Sequence, residues 1–275
     1  MKNLYETIGD KAGIAAKTLL KHFRAAGIND WGDLNKAGLF DLRDEVLGSV
    51  AQSTARTIFA QIKAILRRFD ESGLFCSEYA SILVAKNEKS VATYLTAEEL
   101  RKFEAVHTHT AKERMIKVQA LISAYTGMRV SDISRVSLEN VRDGYLTYTS
   151  QKTSVTATVP VSEKTMGWIG YAQEHKEDEP TLQARDRGLK RLCRKAGITE
   201  DVKIFSAGKE RTVAKCDAIS SHSFRRSFVT NLTTAGVPIA DTSRMAGHTS
   251  VGMTERYICH HVCKVSPEAA KYLGI

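Results

Sequence analysis

Apolar residues recur every three or four positions through the first 85 residues, and this spacing predicts helices with one buried face. Leu19, Leu20 and Phe23 follow the spacing within 17–26, and Gly27 is placed to end that helix. Glycine favours such an end because it adopts the left-handed backbone conformation that closes a helix. We therefore predict an all-helical domain over residues 1–88.

The most regular apolar stripe of this domain lies in a helix predicted from Ser53 to Phe69. Its apolar positions are Ile58, Ile62, Ile65 and Phe69. Arg56, Lys63 and Arg67 fall on the opposite face, with the small Ala60 between them. Charges at such positions usually form a solvated outer face, but a basic helix face also fits a DNA backbone.

The periodicity fades over residues 86–94, which we interpret as a linker, and it returns at Thr96. Thr96-Ala97-Glu98-Glu99 resembles a capping box, in which Thr and Glu each satisfy a backbone amide at the start of a helix. A second domain is therefore predicted over residues 95–275. Its predicted helices cover 96–140 with a break at Gly127, 163–173, 181–196 and 266–273.

Two segments of this domain predict strands. Tyr145–Thr149 and Val155–Val159 alternate in polarity and are rich in Thr and Tyr, with Lys152 in the connection between them. Residues 203–215 are basic and fit either a loop or a short hairpin. The fold class predicted for the whole chain is mainly α with a small β-sheet: a helical domain followed by a mixed α/β domain.

Charge narrows the class of partner. The 275 residues carry a net charge of +9, which favours polyanions such as nucleic acid or an anionic membrane surface. The chain lacks an apolar run of the ~20 residues that a spanning helix needs, and it lacks the apolar core of a signal peptide at its start. The five scattered cysteines suit reduced thiols in the cytoplasm.

The residues with the most informative spacing carry phosphate chemistry. Thr126-Gly127-Met128-Arg129 places an arginine at a helix start, where backbone amides also favour phosphate. Downstream, His222 and Arg225 stand three residues apart, and Tyr257 follows Gly247-His248 by nine residues. Two guanidiniums can grip the non-bridging oxygens of a phosphodiester, and a phenol can attack its phosphorus.

Together these residues resemble the signature of the tyrosine recombinases, the phage-integrase family, in the two-domain layout of its Xer and Cre members. The resemblance implies that Tyr257 forms a 3′-phosphotyrosyl link to DNA and that Lys152 protonates the leaving 5′ oxygen. It also implies that His222 moves a proton or holds a phosphate oxygen, that His248 donates a hydrogen bond to phosphate, and that Asp132 orients Arg129. The first domain would then be a core-binding domain and the second the catalytic domain.

The function implied is that of a site-specific DNA recombinase, or integrase, that proceeds through a Holliday junction. Its expected partners are double-stranded DNA and further copies of the chain in a tetramer on paired sites. Accessory DNA-bending proteins are compatible with this function. No cofactor is expected. The run Cys259-His260-His261-Val262-Cys263 has zinc-ligand types but no second pair at a suitable spacing, so no metal is expected either.

Two alternatives stay open at this point. A type IB topoisomerase-like enzyme would make the same cut on a single duplex, and a non-catalytic DNA-binding protein would keep only the basic surfaces. Further DNA contacts are expected from two groups of basic residues: Arg56, Lys63 and Arg67, and then Lys190 and Arg194. The tail helix over 266–273 is too short to be stable alone, so we expect it to dock on a neighbouring protomer, with packing on its own domain as the alternative.

Overall fold

The structure, a computed structural model, describes residues 3–86, 93–206 and 209–258. The chain divides into two compact units, Met1–Ser90 with Phe205–Arg211, and Val91–Ile204 with Thr212–Ile275. Most of the predicted linker and the predicted tail helix lie outside the described residues, as does the Cys259–Cys263 run. The predicted domain boundary at residues 88–95 therefore stays a prediction.

The first unit is helical, as the apolar spacing predicts. Its α-helices are α1 (Leu4–Ala12), α2 (Ala16–Ala25), α3 (Lys36–Ser49), α4 (Gln52–Leu66) and α5 (Tyr79–Ile82). Short 3-10 turns follow α1, precede α3 and follow α4. Leu19 and Phe23 of α2 are buried in one apolar core with Leu39 and Leu42 of α3. Gly27 has φ = 73°, so it ends the turn after α2 in the way expected for glycine.

Helix α4 is shorter than its apolar stripe predicts. It ends at Leu66, and Arg67–Ser72 continues as a 3-10 helix in which Phe69 has φ = −126°. The prediction of one helix to Phe69 is wrong because the ring of Phe69 packs against Trp31, with ring centroids 5.0 Å apart. This tertiary contact takes the place of the last helical turn.

The second unit combines helices with a small sheet. Its helices are α6 (Ala97–Ala105), α7 (Ala111–Thr126), α8 (Val130–Ile133), α9 (Glu163–Glu174), α10 (Leu182–Lys195), α11 (Lys215–Ala218), α12 (Ser221–Thr234), α13 (Ile239–Met245) and α14 (Val251–Glu255). Its strands are β1 (Val141–Arg142), β2 (Tyr145–Thr149) and β3 (Thr156–Pro160). A further hairpin of β4 (Asp201–Ser206) and β5 (Lys209–Ala214) has its middle residues, Phe205–Arg211, grouped with the first unit. The predicted fold class, mainly α with a small sheet, is confirmed.

Helix α7 lies at the centre of this unit and packs against α9, α10 and α12. Its side chains are buried around most of its circumference, so it lacks the polar outer face of a surface helix. It ends where the sequence predicts, at Gly127 with φ = 71°. A side chain at this position would collide with the ring of Phe228 on α12, 2.6 Å from the place of a β-carbon. The close approach brings the end of α7 against α12.

The predicted strand pair is present as an antiparallel hairpin. Strands β2 and β3 pair with Leu146 opposite Val159 and Tyr148 opposite Ala157, all four buried, while the threonines lie on the exposed face. The two-residue strand β1 adds a third, edge position that the sequence pattern does not reveal. Of the two forms predicted for residues 203–215, a loop or a short hairpin, the structure has the hairpin, formed by β4 and β5.

Two further details correct or confirm the expected helices. The predicted helical stretch 96–140 is interrupted at residues 106–110 as well as at Gly127, because Thr110 starts a new helix by capping the amide of Glu113. The capping box at Thr96 is present, with the Glu99 amide 3.2 Å from the Thr96 hydroxyl and the Thr96 amide 2.7 Å from the Glu99 carboxylate. Within the described chain, no helix has the length and apolar character needed to cross a bilayer.

Candidate active site

The first arginine of the motif lies at the start of α8. Arg129 is the N-cap residue of that four-residue helix and is half-buried. Its Nη1 donates a hydrogen bond to the hydroxyl of Ser150, at the end of β2, over 2.8 Å. The turn at Gly127 and the hairpin together therefore fix where this guanidinium lies.

Asp132, which the sequence predicts to orient Arg129, is connected to that arginine through another residue. The Asp132 carboxylate is 2% exposed, and Oδ2 accepts a hydrogen bond from Ser150 Oγ at 3.1 Å. Its other oxygen, Oδ1, accepts from the backbone amide of Gln151 at 3.1 Å. The serine hydroxyl thus stands between the carboxylate and the arginine, and no direct Asp132–Arg129 ion pair occurs among the described residues.

The second arginine is held by the backbone. Arg225 lies on α12 and is 1% exposed. Its Nη1 donates to the carbonyl of Gly127 and its Nη2 donates to the carbonyl of Ala246 over 2.7 Å. No carboxylate neutralises it in the described chain. Burial and the nearby charge of Arg129 lower the pKa of Arg225, which as an arginine still remains protonated.

The candidate nucleophile, Tyr257, lies just after α14. Its hydroxyl is 2.6 Å from Nε2 of His222, the first residue of the motif on α12. The rings of His222 and His248 flank it, with centroids 5.2 Å and 4.8 Å from the tyrosine ring. Thr230 holds the backbone of Tyr257, because its hydroxyl donates to the Tyr257 carbonyl over 3.2 Å.

His248 presents one ring nitrogen to the site. Its Nδ1 is 2.8 Å from the hydroxyl of Thr254, a buried residue of α14. Its Nε2 is buried and has no hydrogen-bond partner in the part of the chain that the structure describes. When the Thr254 hydroxyl donates to Nδ1, Nε2 carries the one proton of the neutral ring and can donate it to a phosphate oxygen.

The surroundings of both histidines favour the neutral ring. Partial removal from water and the charges of Arg225, Arg226 and Arg129 lower the pKa of His222 to about 4. Burial and the charges of Arg225 and Arg129 lower the pKa of His248 to about 3. A neutral His222 can accept a proton from the tyrosine hydroxyl that it contacts, whereas a protonated one could not.

Lys152 lies in the turn between β2 and β3 and is exposed. Its charge is among those that lower the pKa of His222. The turn is closed by two backbone hydrogen bonds, from the Ser150 amide to Val155 over 2.9 Å and from the Ser154 amide to Ser150 over 2.8 Å. Ser154 adopts a left-handed backbone with φ = 52°.

The residues expected to contact DNA outside the motif have mixed surroundings. Arg56 and Lys63 each donate to a backbone carbonyl, of Lys86 at 2.7 Å and of Ala80 at 3.5 Å, and Arg67 is exposed. Arg194 is exposed but forms an ion pair with Asp217 at 2.6 Å, while Lys190 is half-buried. Two other basic residues of this part of the chain, Arg185 and Lys195, already form ion pairs with carboxylates. Arg185 pairs with Glu179, and Lys195 pairs with Glu113.

Three residues of the site lie outside what the sequence predicts. Ser150 links Arg129 to Asp132, Thr254 fixes the ring of His248, and Arg226 lies with its guanidinium carbon 5.5 Å from the centre of the Tyr257 ring. Only Arg226 carries a signal that sequence reasoning could use, because it follows Arg225 directly. A serine and a threonine bring no such signal, since both types are common at turns and caps.

Taken together, the site offers two guanidiniums, a phenol next to a neutral imidazole, a second imidazole with an unpaired nitrogen, and a lysine on a turn. These groups suit in-line attack on a phosphodiester, with charge stabilisation by arginine and proton transfer by histidine and lysine. Within the described residues, no cluster of three His, Cys, Asp or Glu side chains could hold a metal ion.

Comparison with known proteins agrees with this geometry. The sequence profile of the phage integrase family matches residues 93–262, so the chain belongs to the phage integrase family. Tyrosine recombinase XerD of Chlorobaculum tepidum is 28% identical over 232 residues, 77% of this chain and 71% of the relative.

Solved structures with the same fold include a lambda integrase(75-356) dimer bound to a COC′ core site. It has a TM-score of 0.69 at 15% identity and covers 96% of this chain and 98% of its own. A lambda integrase tetramer bound to a Holliday junction has a TM-score of 0.66 at 15% identity, with 96% and 80% covered. At this level of identity the two structures establish the shared fold of the chain.

Proposed function

We propose that this protein is a site-specific DNA recombinase that cuts and rejoins strands through a 3′-phosphotyrosine intermediate and a Holliday junction. The observation that carries the proposal is the 2.6 Å contact between the Tyr257 hydroxyl and Nε2 of a neutral His222, beside Arg225. A nucleophile, its proton acceptor and a phosphate-binding cation are thereby joined at one place. Family membership supports the same activity.

In the cleavage step, the Tyr257 oxygen forms a bond to phosphorus as the bond from phosphorus to the 5′ oxygen breaks. His222 takes the phenolic proton through Nε2, and Lys152 gives a proton to the departing 5′ oxygen. Arg129, Arg225 and the Nε2 of His248 stabilise the charge that builds on the non-bridging oxygens. Rejoining reverses these transfers, with a 5′ hydroxyl from the exchanged strand as the attacking group.

We also propose how DNA and further copies of the chain take part. The first unit acts as the core-binding domain through Arg56, Lys63 and Arg67, and Lys190 and Arg194 add phosphate contacts in the second unit. A tetramer on paired sites is supported by the lambda integrase neighbour, which is a tetramer on a Holliday junction. The protein then works where that DNA is kept, in the cytoplasm.

The test is covalent capture from a mixed pool of duplexes, which lets the protein itself select its DNA site. Duplexes with a randomised core and a nick next to it are incubated with the protein, and DNA that stays attached in SDS is recovered and sequenced. The wild type should enrich one related set of sequences, and Tyr257→Phe should recover none while it still shifts the same duplexes on a native gel. Recovery by Tyr257→Phe equal to wild type would disprove Tyr257 as the nucleophile.

The same duplexes separate recombination from a topoisomerase-like reaction. A recombinase should exchange strands between two copies of the recovered sequence and give products of new length. An enzyme of the type IB class would instead relax a supercoiled plasmid that lacks this sequence. Relaxation without strand exchange would favour the second class, and binding without covalent capture would favour a non-catalytic DNA-binding protein.

A further inference from the structure

We propose that Ser150 is a positioning residue that couples the phosphate-binding Arg129 to the turn that carries Lys152. The inference rests on the proposed cleavage reaction and adds to it a residue with no chemistry of its own. One buried hydroxyl, that of Ser150, thereby positions both the arginine that binds the phosphate and the lysine that gives the proton.

The first half of the coupling is the hold on Arg129. Ser150 is 1% exposed, and its hydroxyl accepts from Arg129 Nη1 over 2.8 Å while donating to Asp132 Oδ2 over 3.1 Å. A hydroxyl has one proton to donate, so donation to the carboxylate leaves its lone pairs to receive the guanidinium. The direction of both hydrogen bonds is thus fixed by the chemistry of the two partners.

The second half is the hold on the turn. The Ser150 amide and carbonyl form the two backbone hydrogen bonds that close it, to Val155 and from Ser154. The Gln151 amide, one residue before Lys152, donates to Asp132 Oδ1 over 3.1 Å. The carboxylate that receives the serine hydroxyl therefore also fixes the backbone that leads directly to the lysine.

Both effects depend on one buried carboxylate, that of Asp132, and each of its oxygens accepts one of the hydrogen bonds. Oδ2 receives the hydroxyl that holds Arg129, and Oδ1 receives the amide that holds the turn. If the hydroxyl is removed, Oδ2 loses its donor, and a 2% exposed carboxylate with an unpaired oxygen is unstable in place. Movement of Asp132 then releases Gln151 as well, so a change aimed at Arg129 reaches Lys152.

Two modified duplexes separate these effects, each made on the sequence recovered by covalent capture. A 5′-bridging phosphorothiolate has a thiolate leaving group, which needs no proton because a thiol has a pKa of about 8.5. A methylphosphonate lacks the charge on one non-bridging oxygen. Its cleavage therefore depends less on a guanidinium that neutralises this charge. Lys152→Ala should recover its rate on the first duplex only, and Arg129→Ala on the second only.

Ser150→Ala should cleave the unmodified duplex about 10²-fold more slowly in a single turnover, as expected for a small displacement of catalytic groups. Part of this deficit should be recovered on each of the two modified duplexes. Asp132→Asn, which leaves one acceptor oxygen for two donors, should give the same double recovery. The matched control is Ser227→Ala, since Ser227 is a buried serine whose hydroxyl also makes two hydrogen bonds, to Leu95 and Ser223.

A deficit of Ser150→Ala that neither duplex recovers, or that only one recovers, would overturn the coupling. A structural defect alone predicts the first of these patterns, and it should appear in Ser227→Ala if that variant is slower at all. Asp132→Asn provides the same comparison should the serine variant fail to fold, as checked by its melting temperature.

A measurement without DNA keeps this inference separate from the proposed function. Amide hydrogen exchange in peptides covering 149–155 should become faster in Ser150→Ala and in Asp132→Asn, and stay unchanged in Ser227→Ala. Unchanged exchange in both site variants would contradict the hold on the turn. If exchange behaves as expected but the wild type captures no DNA, the proposed function fails while the link between serine and turn stands.

Discussion

At the scale of single residues, His248 is a buried imidazole whose neutral form is favoured by folding. Its pKa falls from 6.5 to about 3, mainly through burial, so between these pH values the unfolded chain binds a proton that the folded chain does not. Stability linked to His248 is therefore complete above pH 6.5 and is lost as the pH falls below it. The slope for one such group is about 1.4 kcal/mol per pH unit.

We accordingly expect His248→Asn to be less sensitive to acid than the wild type. Asn keeps a polar side chain near Thr254 but does not titrate. In urea unfolding between pH 6.5 and 5, the free energy of unfolding of the wild type should fall more steeply, by as much as about 1.4 kcal/mol per unit. Parallel curves for the two proteins would show that His248 is not held neutral.

Arg225 offers a second prediction at this scale, because its fork is matched to two backbone carbonyls. Lysine keeps the charge but has one ammonium group, which cannot reach both carbonyls and a phosphate together. Arg225→Lys should lower the melting temperature and slow covalent capture by at least about 10²-fold. Arg191→Lys, at an exposed arginine of α10, should change neither, and equal effects at both sites would count against the special role of Arg225.

The residue types that carry chemistry could be predicted from the sequence, because arginine, histidine and tyrosine at a fixed spacing are rarely accidental. Their supports could not. Ser150 is 18 residues from Asp132, and Gly127 is 98 residues from Arg225, so no local pattern links them. A backbone carbonyl has no sequence signal at all, since every residue has one.

At the scale of elements, the glycine that ends α7 both closes a helix and admits a neighbour. Gly127 and Gly197 have the same φ of 71°, but only Gly127 has a close neighbour, the ring of Phe228. Alanine at either position adopts a strained left-handed backbone, at a cost of roughly 1–2 kcal/mol. At Gly127 it also pushes against the ring, which typically costs a further 1–3 kcal/mol or so.

Gly127→Ala should therefore be destabilised about twice as much as Gly197→Ala in chemical denaturation. It should also lose cleavage activity beyond its loss of stability, because the Gly127 carbonyl that receives Arg225 is displaced. Gly197→Ala should keep its cleavage rate on the captured duplex. If the two variants lose equal stability, Phe228 yields to the added methyl group and the contact does not restrict the end of α7.

Element boundaries marked by glycine or by a capping residue were predictable, as at Gly27, Thr96 and Gly127. The end of α4 was not, because the apolar stripe runs on to Phe69 while the backbone turns to seat that ring against Trp31. Local periodicity reports which side chains are apolar, but it does not report which neighbour they meet. The two-residue strand β1 is too short for any alternation to show.

At the scale of the whole molecule, the 40 lysine and arginine side chains outnumber the cations that are free to meet DNA. Several cations in the second unit are already paired with carboxylates, among them Arg185, Arg194, Lys195 and Lys215. Lys190 has no such pair among the described residues. The surface that remains open is therefore smaller than composition alone suggests.

Affinity for a duplex of random sequence should fall steeply with salt, by a log-log slope of about 0.9 for each neutralised phosphate. Lys190→Ala should reduce this slope by about 0.9, the contribution of one phosphate contact. Arg194→Ala should reduce it by less, because Asp217 competes for that guanidinium. Joint replacement of Arg56, Lys63 and Arg67 by Ala should weaken binding, whereas replacing the acidic pair Glu177 and Asp178 should not. A slope that is the same in all variants would exclude these residues from the interface.

The contrast between the two arginines has a consequence for how this site can change over generations. Arg225 is held by two main-chain oxygens: the one at position 246 is present whatever the side chain there, and the one at position 127 belongs to a glycine that no other residue can replace without strain. Arg129 is held through the side chains of Ser150 and Asp132, which a single nucleotide change can remove. Drift and adaptation in this protein should therefore act on the Arg129 side of the site, while the Arg225 side stays fixed.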